Sequence, residues 1–392
     1  STVLVGVTMK LHEFVVRRLL LLIPVMIGVP IFTFAIAHII PGDPAALQCG
    51  DKCGVTVDYT EDGDPITAYE ANRIRLKMDD TVTVQFWRYI TDLAEGDWGE
   101  SLLYHRPVID VVKDAAPITL EMSFLALIIA YPLGIILGII SAVRQDRMFD
   151  HVSRFFAIAF VSLPIFWFAM MLQLFLATGT EHGGICDPIF GTEGGCFPIY
   201  GRHDPSYTYP VDGYAWYYPT GGTGFHLVDS WFVTDEKLAT LPSEWGSNRL
   251  LFKDTFFHLA LPCAALGIAS TGSLLRYMRA SLLEVLHEDY VRTARAKGLS
   301  EIRVVIVHAC RNALIPIVTI LGFSIGGAIG GAVLTETVFA FNGMGRVAVT
   351  SIQYLDFAVI MGVTLITSVI FLLSNLIVDI TYAIIDPRVR LE

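Results

Sequence analysis

The sequence predicts an all-α protein that crosses a membrane several times. Of its 392 residues, 54% are hydrophobic and 17% are charged, whereas a soluble domain carries about a quarter charged residues. Six long runs contain no charged residue, and a helix needs about 20 apolar residues to cross a bilayer. This composition excludes a disordered chain, a nucleic-acid binder and an ordinary cytosolic enzyme.

The six apolar runs define the expected membrane helices, because a lone strand would leave its backbone groups unsatisfied in lipid. The runs are 19–40, 122–143, 155–178, 255–275, 313–335 and 357–378. With their flanking turns, we expect helices over 19–40, 117–143, 155–178, 255–275, 312–341 and 356–385, and a membrane core over 117–385. The first run follows two arginines, as a signal peptide does, but its 22 residues exceed a typical signal-peptide apolar region.

Charge predicts the orientation of the spans. Segments 1–18, 144–154, 276–311 and 386–392 hold 15 Lys and Arg in 72 residues, whereas loops 41–116 and 179–254 hold 11 in 152. By the positive-inside rule, the first set is cytoplasmic, with both termini inside, and the two long loops are extracytoplasmic. These loops carry net charges of −8 and −6, so the excess of acidic residues behind the overall charge of −11 lies in them. We therefore expect a multi-pass protein of the cell membrane.

The six cysteines fall into two groups. Four lie in the two long loops, where disulfides can persist, and they allow three pairings among which the sequence does not choose. These four are Cys49, Cys53, Cys186 and Cys196. A zinc site formed by the last two with His182 and His203 is the alternative, but its spacing matches no standard pattern. We expect Cys263, in a span, and Cys310, at the inner face, to be free thiols.

Two catalytic sequence patterns bear on the function. The phosphate-binding pattern GxxxxGK[ST] is absent, so any ATP that drives this protein must be bound by another polypeptide. Residues 322–326 match GxSxG, the nucleophile pattern of serine hydrolases, with His38 or His258 as a possible base. That pattern requires a strand–turn–helix, whereas this segment lies in a predicted helix with small residues at every fourth position. Such spacing favours close helix packing over an intramembrane protease.

Carboxylates near the membrane edges could serve an ion-coupled transporter working alone. Glu121 and Glu336 are expected near the outer surface and Asp379 near the inner one, and none lies at mid-depth. The chain also lacks the clear internal repeat that such transporters tend to show. We expect these side chains to be hydrogen-bonded at interfaces, and we keep the ion-coupled transporter as an alternative.

The predicted cytoplasmic segment 276–311 contains a short amphipathic helix. Glu288 and Arg292 have the i,i+4 order that favours an ion pair. Lys297 lies in the last turn, where the helix dipole favours a cation, and Gly298 is predicted to adopt the left-handed conformation that ends a helix. The expected apolar stripe consists of Leu286, Tyr290 and Ala294. Such a helix either lies on the lipid surface or docks into a groove of a partner.

This segment also carries a family resemblance. It reads Asp289-Tyr-Val-Arg-Thr-Ala-Arg-Ala-Lys-Gly-Leu299, followed by His308-Ala-Cys-Arg-Asn-Ala-Leu-Ile-Pro316. Both runs resemble the cytoplasmic loop of ABC-importer permeases, in particular the first permease subunit of the dipeptide/oligopeptide (and nickel) group. Further similar segments are 41–44, 96–101, 336–339, 343–345, 379–382 and 386–388. Two motifs depart from the family pattern, with Arg292-Thr293 in place of Glu-Ala and Asn342 in place of Pro.

The resemblance implies a type I ABC importer fold with six transmembrane helices and two long extracytoplasmic loops. The chain would be one permease of an ATP-driven importer, forming half of the pathway for di- or oligopeptides, with nickel or oligosaccharides as alternative cargo. It would have no catalytic residue, cofactor or metal of its own. Its partners would be a homologous second permease, two ATPase subunits that bind ATP and Mg, an extracytoplasmic solute-binding protein and membrane lipid, but no nucleic acid.

The same resemblance implies a coupling helix around 288–298 that contacts the ATPase subunits. The expected contact residues are Glu288, Asp289, Tyr290, Arg292, Thr293, Ala294, Arg295, Lys297 and Gly298. A second expected contact surface is the aromatic-rich part of loop 179–254, since aromatic side chains are favoured at interfaces. Its members are Tyr200, Tyr207, Tyr209, Tyr214, Trp216, Tyr217 and Tyr218. They predict either docking of a solute-binding protein or a self-packed cap over the outer mouth.

Overall fold

The computed structural model describes residues 11–39, 43–59, 65–75, 78–178, 196–202, 209–211, 214–217, 223–232 and 248–385. Its long helices are α1 (Leu11–Ile39), α5 (Val108–Val143), α9 (Asn248–Leu286), α13 (Ile315–Gly331) and α16 (Phe357–Ile385). Shorter helices before and between them are α2 (Pro44–Cys49), α3 (Ala68–Arg75), α4 (Val82–Glu95), α6 (Met148–Ser162), α7 (Ile165–Leu172) and α8 (His226–Trp231). The remaining helices are α10 (Asp289–Ala296), α11 (Glu301–Arg303), α12 (Cys310–Ala313), α14 (Val333–Val338) and α15 (Met344–Gln353).

Irregular helical turns and two small hairpins complete the described chain. A 3₁₀ turn covers Gly50–Lys52, and π-helical turns cover Gln173–Ala177 and Val304–Ala309. Strands β1 (Thr56–Tyr59) and β2 (Pro65–Thr67) pair antiparallel, as do β3 (Tyr209–Val211) and β4 (Tyr214–Tyr217). The described chain is therefore almost entirely helical, as predicted.

Four described helices are long and apolar enough to cross a membrane, and two bent pairs raise the number to as many as six. The four are α1, α5, α9 and α16. The pair α6 and α7 is bent by 103°, and the helical segment 301–313 meets α13 at 49°. Both bends lie at a proline. Leu163 before Pro164 is extended, as a following proline ring favours. Pro316 lies in the first turn of α13, where its missing N–H group cannot continue the hydrogen bonding of the preceding helix. The sequence predicted unbroken helices at both places.

The helix bounds also differ from the predicted spans at other points. Helix α5 begins at 108 rather than 117, and α9 extends from 248 to 286 around the predicted span 255–275. The extra turns of α9 contain charged residues among their apolar ones, and an uncharged apolar run therefore marks only the middle of this helix. The GxSxG residues 322–326 lie within α13, so they form no strand–turn–helix.

Helices α5 and α9 form the central pair of the fold. Glycines allow their backbones to approach closely, as small residues do in membrane bundles. A Cβ atom at Gly134 would lie 2.5 Å from the Cβ of Leu274, and one at Gly138 would lie 2.7 Å from the Cβ of Met278. Longer side chains at these two positions would push the helices apart.

A buried carboxylate joins three helices at one end of the bundle. We call this the basic end, because it contains Arg144, Arg147 and α10. Asp150 of α6 is fully buried and accepts hydrogen bonds from Arg279 Nε and Nη2 of α9, at 2.7 and 2.8 Å. Ser141 Oγ of α5 donates a third bond at 2.6 Å. A paired, fully hydrogen-bonded charge of this kind is costly to break by removing one partner.

The cysteines are arranged as follows. Cys49 and Cys53 form a disulfide, and Cys196 is disulfide-bonded as well. Cys186 and both histidines of the zinc alternative lie outside the described residues. Cys263 and Cys310 are buried and free, which confirms that prediction.

Candidate coupling site

The coupling site is built on α10, which follows α9 after a two-residue turn. Glu288 is extended (φ −68°, ψ 147°) and precedes the first helical residue, Asp289. Gly298 has φ +78°, which confirms the left-handed conformation predicted for it. A Cβ atom at Gly298 would meet nothing within 4 Å. The backbone conformation, rather than lack of space, therefore favours glycine here.

The inner face of α10 packs onto the bundle. Val291 is fully buried and Ala294 is 7% exposed, in a cluster that includes Leu282 and Val305. The predicted stripe was partly wrong, since Tyr290 remains 40% exposed and Leu286 is only half-buried. The i,i+3 spacing of Val291 and Ala294 was the available signal for the buried face.

The outer face of α10 carries the other predicted contact residues. Eight of the nine are exposed in the described chain, and the exception is Ala294, whose burial makes it an anchor of the helix rather than a contact. The eight are Glu288, Asp289, Tyr290, Arg292, Thr293, Arg295, Lys297 and Gly298. The predicted ion pair of Arg292 with Glu288 is wrong, because Arg292 Nη1 lies 3.4 Å from Asp289 Oδ1 instead. Exposed pairs of this kind contribute little stability, so both charges remain available to a partner.

Hydrogen bonds tie α10 to its neighbours. Arg295 Nε donates to Glu301 Oε1 of α11 at 2.7 Å. Asn312 Nδ2 of α12 donates to Tyr290 Oη at 2.8 Å. Nothing in the spacing of the sequence singled out Asn312, since its partner lies 22 residues away. A force applied to α10 would therefore reach α9, α11 and α12 together.

The end opposite the basic end, which we call the loop end, holds the two carboxylates that were expected near the outer surface, Glu121 and Glu336. Glu336 is fully buried and accepts hydrogen bonds from Thr119 Oγ1 at 2.6 Å and from the backbone N–H of Arg346 at 2.8 Å. A Cβ atom at Gly343 would lie 2.4 Å from Glu336 Oε1. The close approach of this carboxylate therefore explains why residue 343 is a glycine.

Glu121 binds loop 179–254, which we also call the insertion, to the bundle. It accepts hydrogen bonds from Arg202 Nη2 at 2.7 Å and from the backbone N–H of Leu227 at 2.8 Å. The backbone N–H of Gly201 also donates to the carbonyl of Phe339 at 2.9 Å. Together with Glu336, this confirms that the outer carboxylates are hydrogen-bonded at interfaces. The side chain of Asp379 lies outside the described part of the chain.

Segments 196–202 and 223–232 consequently pack on the loop end of the bundle, as the cap interpretation predicts. Of the aromatic residues in the insertion, Tyr200 is 62% exposed. The backbones of Tyr209, Tyr214, Trp216 and Tyr217 form β3 and β4, but their side chains are not described. Tyr207 and Tyr218 lie outside the described residues, so docking stays a prediction for this part of the loop.

The arrangement can transmit force between α10 and the bundle. Among the described residues, no three His, Cys, Asp or Glu side chains are grouped to hold a metal ion. The outer face of α10 is a stiff, charged surface tied to several helices. Such a surface suits docking into a groove of another protein.

Comparison with known proteins covers the whole chain. Residues 134–391 match the family described as binding-protein-dependent transport system inner membrane component, and residues 11–123 match its N-terminal component. The chain is 37% identical over 379 residues to a dipeptide transport system permease of Alkalihalophilus pseudofirmus, covering 96% of this chain and 99% of the relative. It is 39% identical over 369 residues to a probable D,D-dipeptide transport system permease of Escherichia coli, covering 94% of each. A glutathione transport system permease of Escherichia coli is 33% identical, over 96% of this chain and 99% of the relative.

Proposed function

The chain belongs to the family of binding-protein-dependent transport system inner membrane components, and from that premise we propose that it is one permease of an ATP-driven peptide importer. The observation that carries the proposal is the identity of 37–39% to dipeptide permeases along nearly the full length of both chains. Short peptides are the proposed cargo, because the relatives named above are called dipeptide or glutathione permeases. None of the relatives named above is called a nickel or oligosaccharide permease.

The proposed partners follow from two features of the chain, the absence of a phosphate-binding pattern in its sequence and the exposed face of α10. It has no phosphate-binding loop, so ATP and Mg would be bound by two separate ATPase subunits. The outer face of α10 would dock into a groove of one of them, with Arg292, Arg295 and Lys297 as the exposed cations. A second permease would complete the pathway, and a solute-binding protein would deliver the peptide at the loop end.

The proposed mechanism is mechanical. Closure of the ATPase pair would move α10, and its bonds to α11 and α12 would carry that movement into the bundle as a rigid-body rotation. ATP binding would favour a bundle open at the loop end, and hydrolysis would return it to a state open at the basic end. In this orientation the basic end is cytoplasmic and both termini lie inside.

Purification and transport test the proposal together. The tagged chain is extracted from its native membrane in mild detergent, its co-purifying proteins are identified, and the assembly is reconstituted into vesicles with labelled dipeptide. We expect two nucleotide-binding chains, or two copies of one, with a second permease, and peptide uptake that requires ATP. A chain that purifies alone and transports in ATP-free vesicles would overturn the proposal in favour of an ion-coupled transporter.

A further inference from the structure

A groove of about 450 Å³ opens between α5 and the bent segment formed by α12 and α13. Its walls are apolar except at its two ends. The lining residues that matter here are Tyr131 and Ile135 of α5, Arg311 of α12, and Leu314, Ile317 and Leu321 beside or within α13. The groove contains no part of the coupling surface on α10.

A permanent cation stands at the basic end of this groove. Two other arginines of this end, Arg279 and Arg295, are paired with Asp150 and Glu301, whereas Arg311 is the arginine that lines the groove. Arg311 is exposed, and among the described residues no carboxylate lies within 4 Å of it. A guanidinium group presents donors in a fork that matches a carboxylate. Charge complementarity therefore favours an anionic group at this end of the groove.

Polar groups lie at the other end of the groove. Tyr131 Oη donates a hydrogen bond to Ser324 Oγ at 3.1 Å, joining α5 to α13 inside the spans. Polar side chains within a membrane bundle face its interior or a water-filled cavity. An acyl chain would gain nothing from these hydroxyl groups. A solute with an anionic end, an apolar part and further polar groups fits the groove better than a lipid does.

We propose that this groove is a subsite for the peptide in transit, in which Arg311 binds the α-carboxylate and the Leu314–Leu321 wall contacts a side chain. The inference deepens the proposed function and rests on it. Every peptide with a free C-terminus carries this carboxylate, so the subsite binds peptides irrespective of their sequence. The apolar wall adds contact with aliphatic or aromatic side chains.

The position of Arg311 also links the subsite to α10. Arg311 adjoins Asn312, whose amide donates to Tyr290 of α10. The 49° bend of the helix separates Arg311 from the apolar wall on α13. Movement of α10 would therefore shift Arg311 relative to the Leu314–Leu321 wall and weaken the binding of the peptide. Peptide release is thereby tied to the ATPase cycle.

Site-specific photocrosslinking tests the proposal in the complete reconstituted transporter. Benzoylphenylalanine replaces Leu321 in the groove, or Val318 as a second groove position, or Phe323, which is 62% exposed and outside the groove. Illumination during turnover with a labelled dipeptide should give a peptide adduct from the groove positions and little from 323. Arg311→Gln should reduce the adduct by about tenfold, since a charge-assisted bond contributes about 1.5 kcal/mol or more. Arg303→Gln, at an exposed arginine of α11, is the matched control.

The outcomes separate this inference from the proposed function. Adducts of the groove positions to lipid or to another subunit, in an assembly that still imports peptide, would overturn the subsite alone. An adduct of equal yield in Arg311→Gln and Arg303→Gln would overturn the role of Arg311. Failure of the unmodified assembly to import any peptide would overturn the proposed function, and the subsite with it.

Discussion

Ser101 and Asp356 meet in the core although 255 residues separate them: Ser101 Oγ donates to Asp356 Oδ2 at 2.5 Å. Both side chains are fully buried. The same carboxylate oxygen accepts the backbone N–H of Leu103 at 3.0 Å, and the backbone N–H of Val359 donates to Oδ1 at 3.3 Å. Asp356 thus caps the start of α16 and holds the loop before α5, which explains the serine of segment 96–101.

We expect Ser101→Ala to lower the stability of the chain, because Asp356 would lose a bond in a dry site. A buried group left without its partner costs about 1–3 kcal/mol. Thermal unfolding of the purified chain in detergent should therefore begin at a clearly lower temperature. Thr83→Ala, at an exposed position of α4, is the control and should leave the transition in place. Equal transitions for the two variants would show that the Ser101 bond contributes nothing measurable.

Gly343→Ala should disrupt the loop end. The added Cβ would lie 2.4 Å from Glu336 Oε1 and 2.5 Å from Thr119 Oγ1, so the carboxylate and the start of α15 would have to separate. Overpacking of this kind costs about 1–3 kcal/mol. The yield of folded protein, measured by size-exclusion chromatography in detergent, should fall. Gly54→Ala is the matched control, because a Cβ there meets nothing within 4 Å. Normal yield of Gly343→Ala would contradict this account of the glycine.

The contacts at the two ends differ in how far the sequence predicted them. Local signals were sufficient for Gly298, whose place after a basic, amphipathic turn predicts a left-handed residue. Local signals failed for Asn312 and Ser101, because their partners, Tyr290 and Asp356, lie far away along the chain. Hydropathy placed the spans but not the bends at Pro164 and Pro316, since an apolar run looks alike whether its helix is straight or broken. Tertiary packing, which the periodicity of the sequence does not contain, determines these long-range partners and the bends.

Acid should weaken the contact between α3 and the start of α2. Desolvation of Asp43 acts to raise its pKa, but hydrogen bonds from Tyr69 Oη and from the backbone N–H groups of Ala46 and Ala45 outweigh it. The pKa of Asp43 therefore lies below its ordinary value of 3.8. Since the folded pKa is the lower one, this stabilisation is present above about pH 4 and disappears as the pH falls through the folded pKa.

Tyr69→Phe tests this dependence, because it removes one of the bonds that lower the pKa of Asp43. The variant should unfold at a lower temperature than the wild-type chain between pH 7 and pH 5. The difference should shrink below about pH 4, where Asp43 becomes protonated in both proteins. Thermal unfolding followed by fluorescence across this range provides the measurement. A difference that stays constant down to the lowest pH would mean that packing of the ring, not the carboxylate, is responsible.

Substitutions at Gly298 separate the fold of α10 from its coupling role. With φ +78°, a β-branched residue is strained, whereas Asn tolerates this conformation much better. A Cβ atom would meet nothing at this position, so neither change creates a clash within the chain. In the reconstituted importer, Gly298→Val should therefore reduce peptide uptake per ATP hydrolysed by severalfold, and Gly298→Asn should retain most of it. The backbone strain costs Gly298→Val about 1–2 kcal/mol of stability and Gly298→Asn less, so thermal unfolding should shift modestly in the first variant and little in the second. If Gly298→Val transported with the stoichiometry of the wild-type importer, the end of α10 would play no part in coupling, and the docking surface would have to lie elsewhere on the basic end.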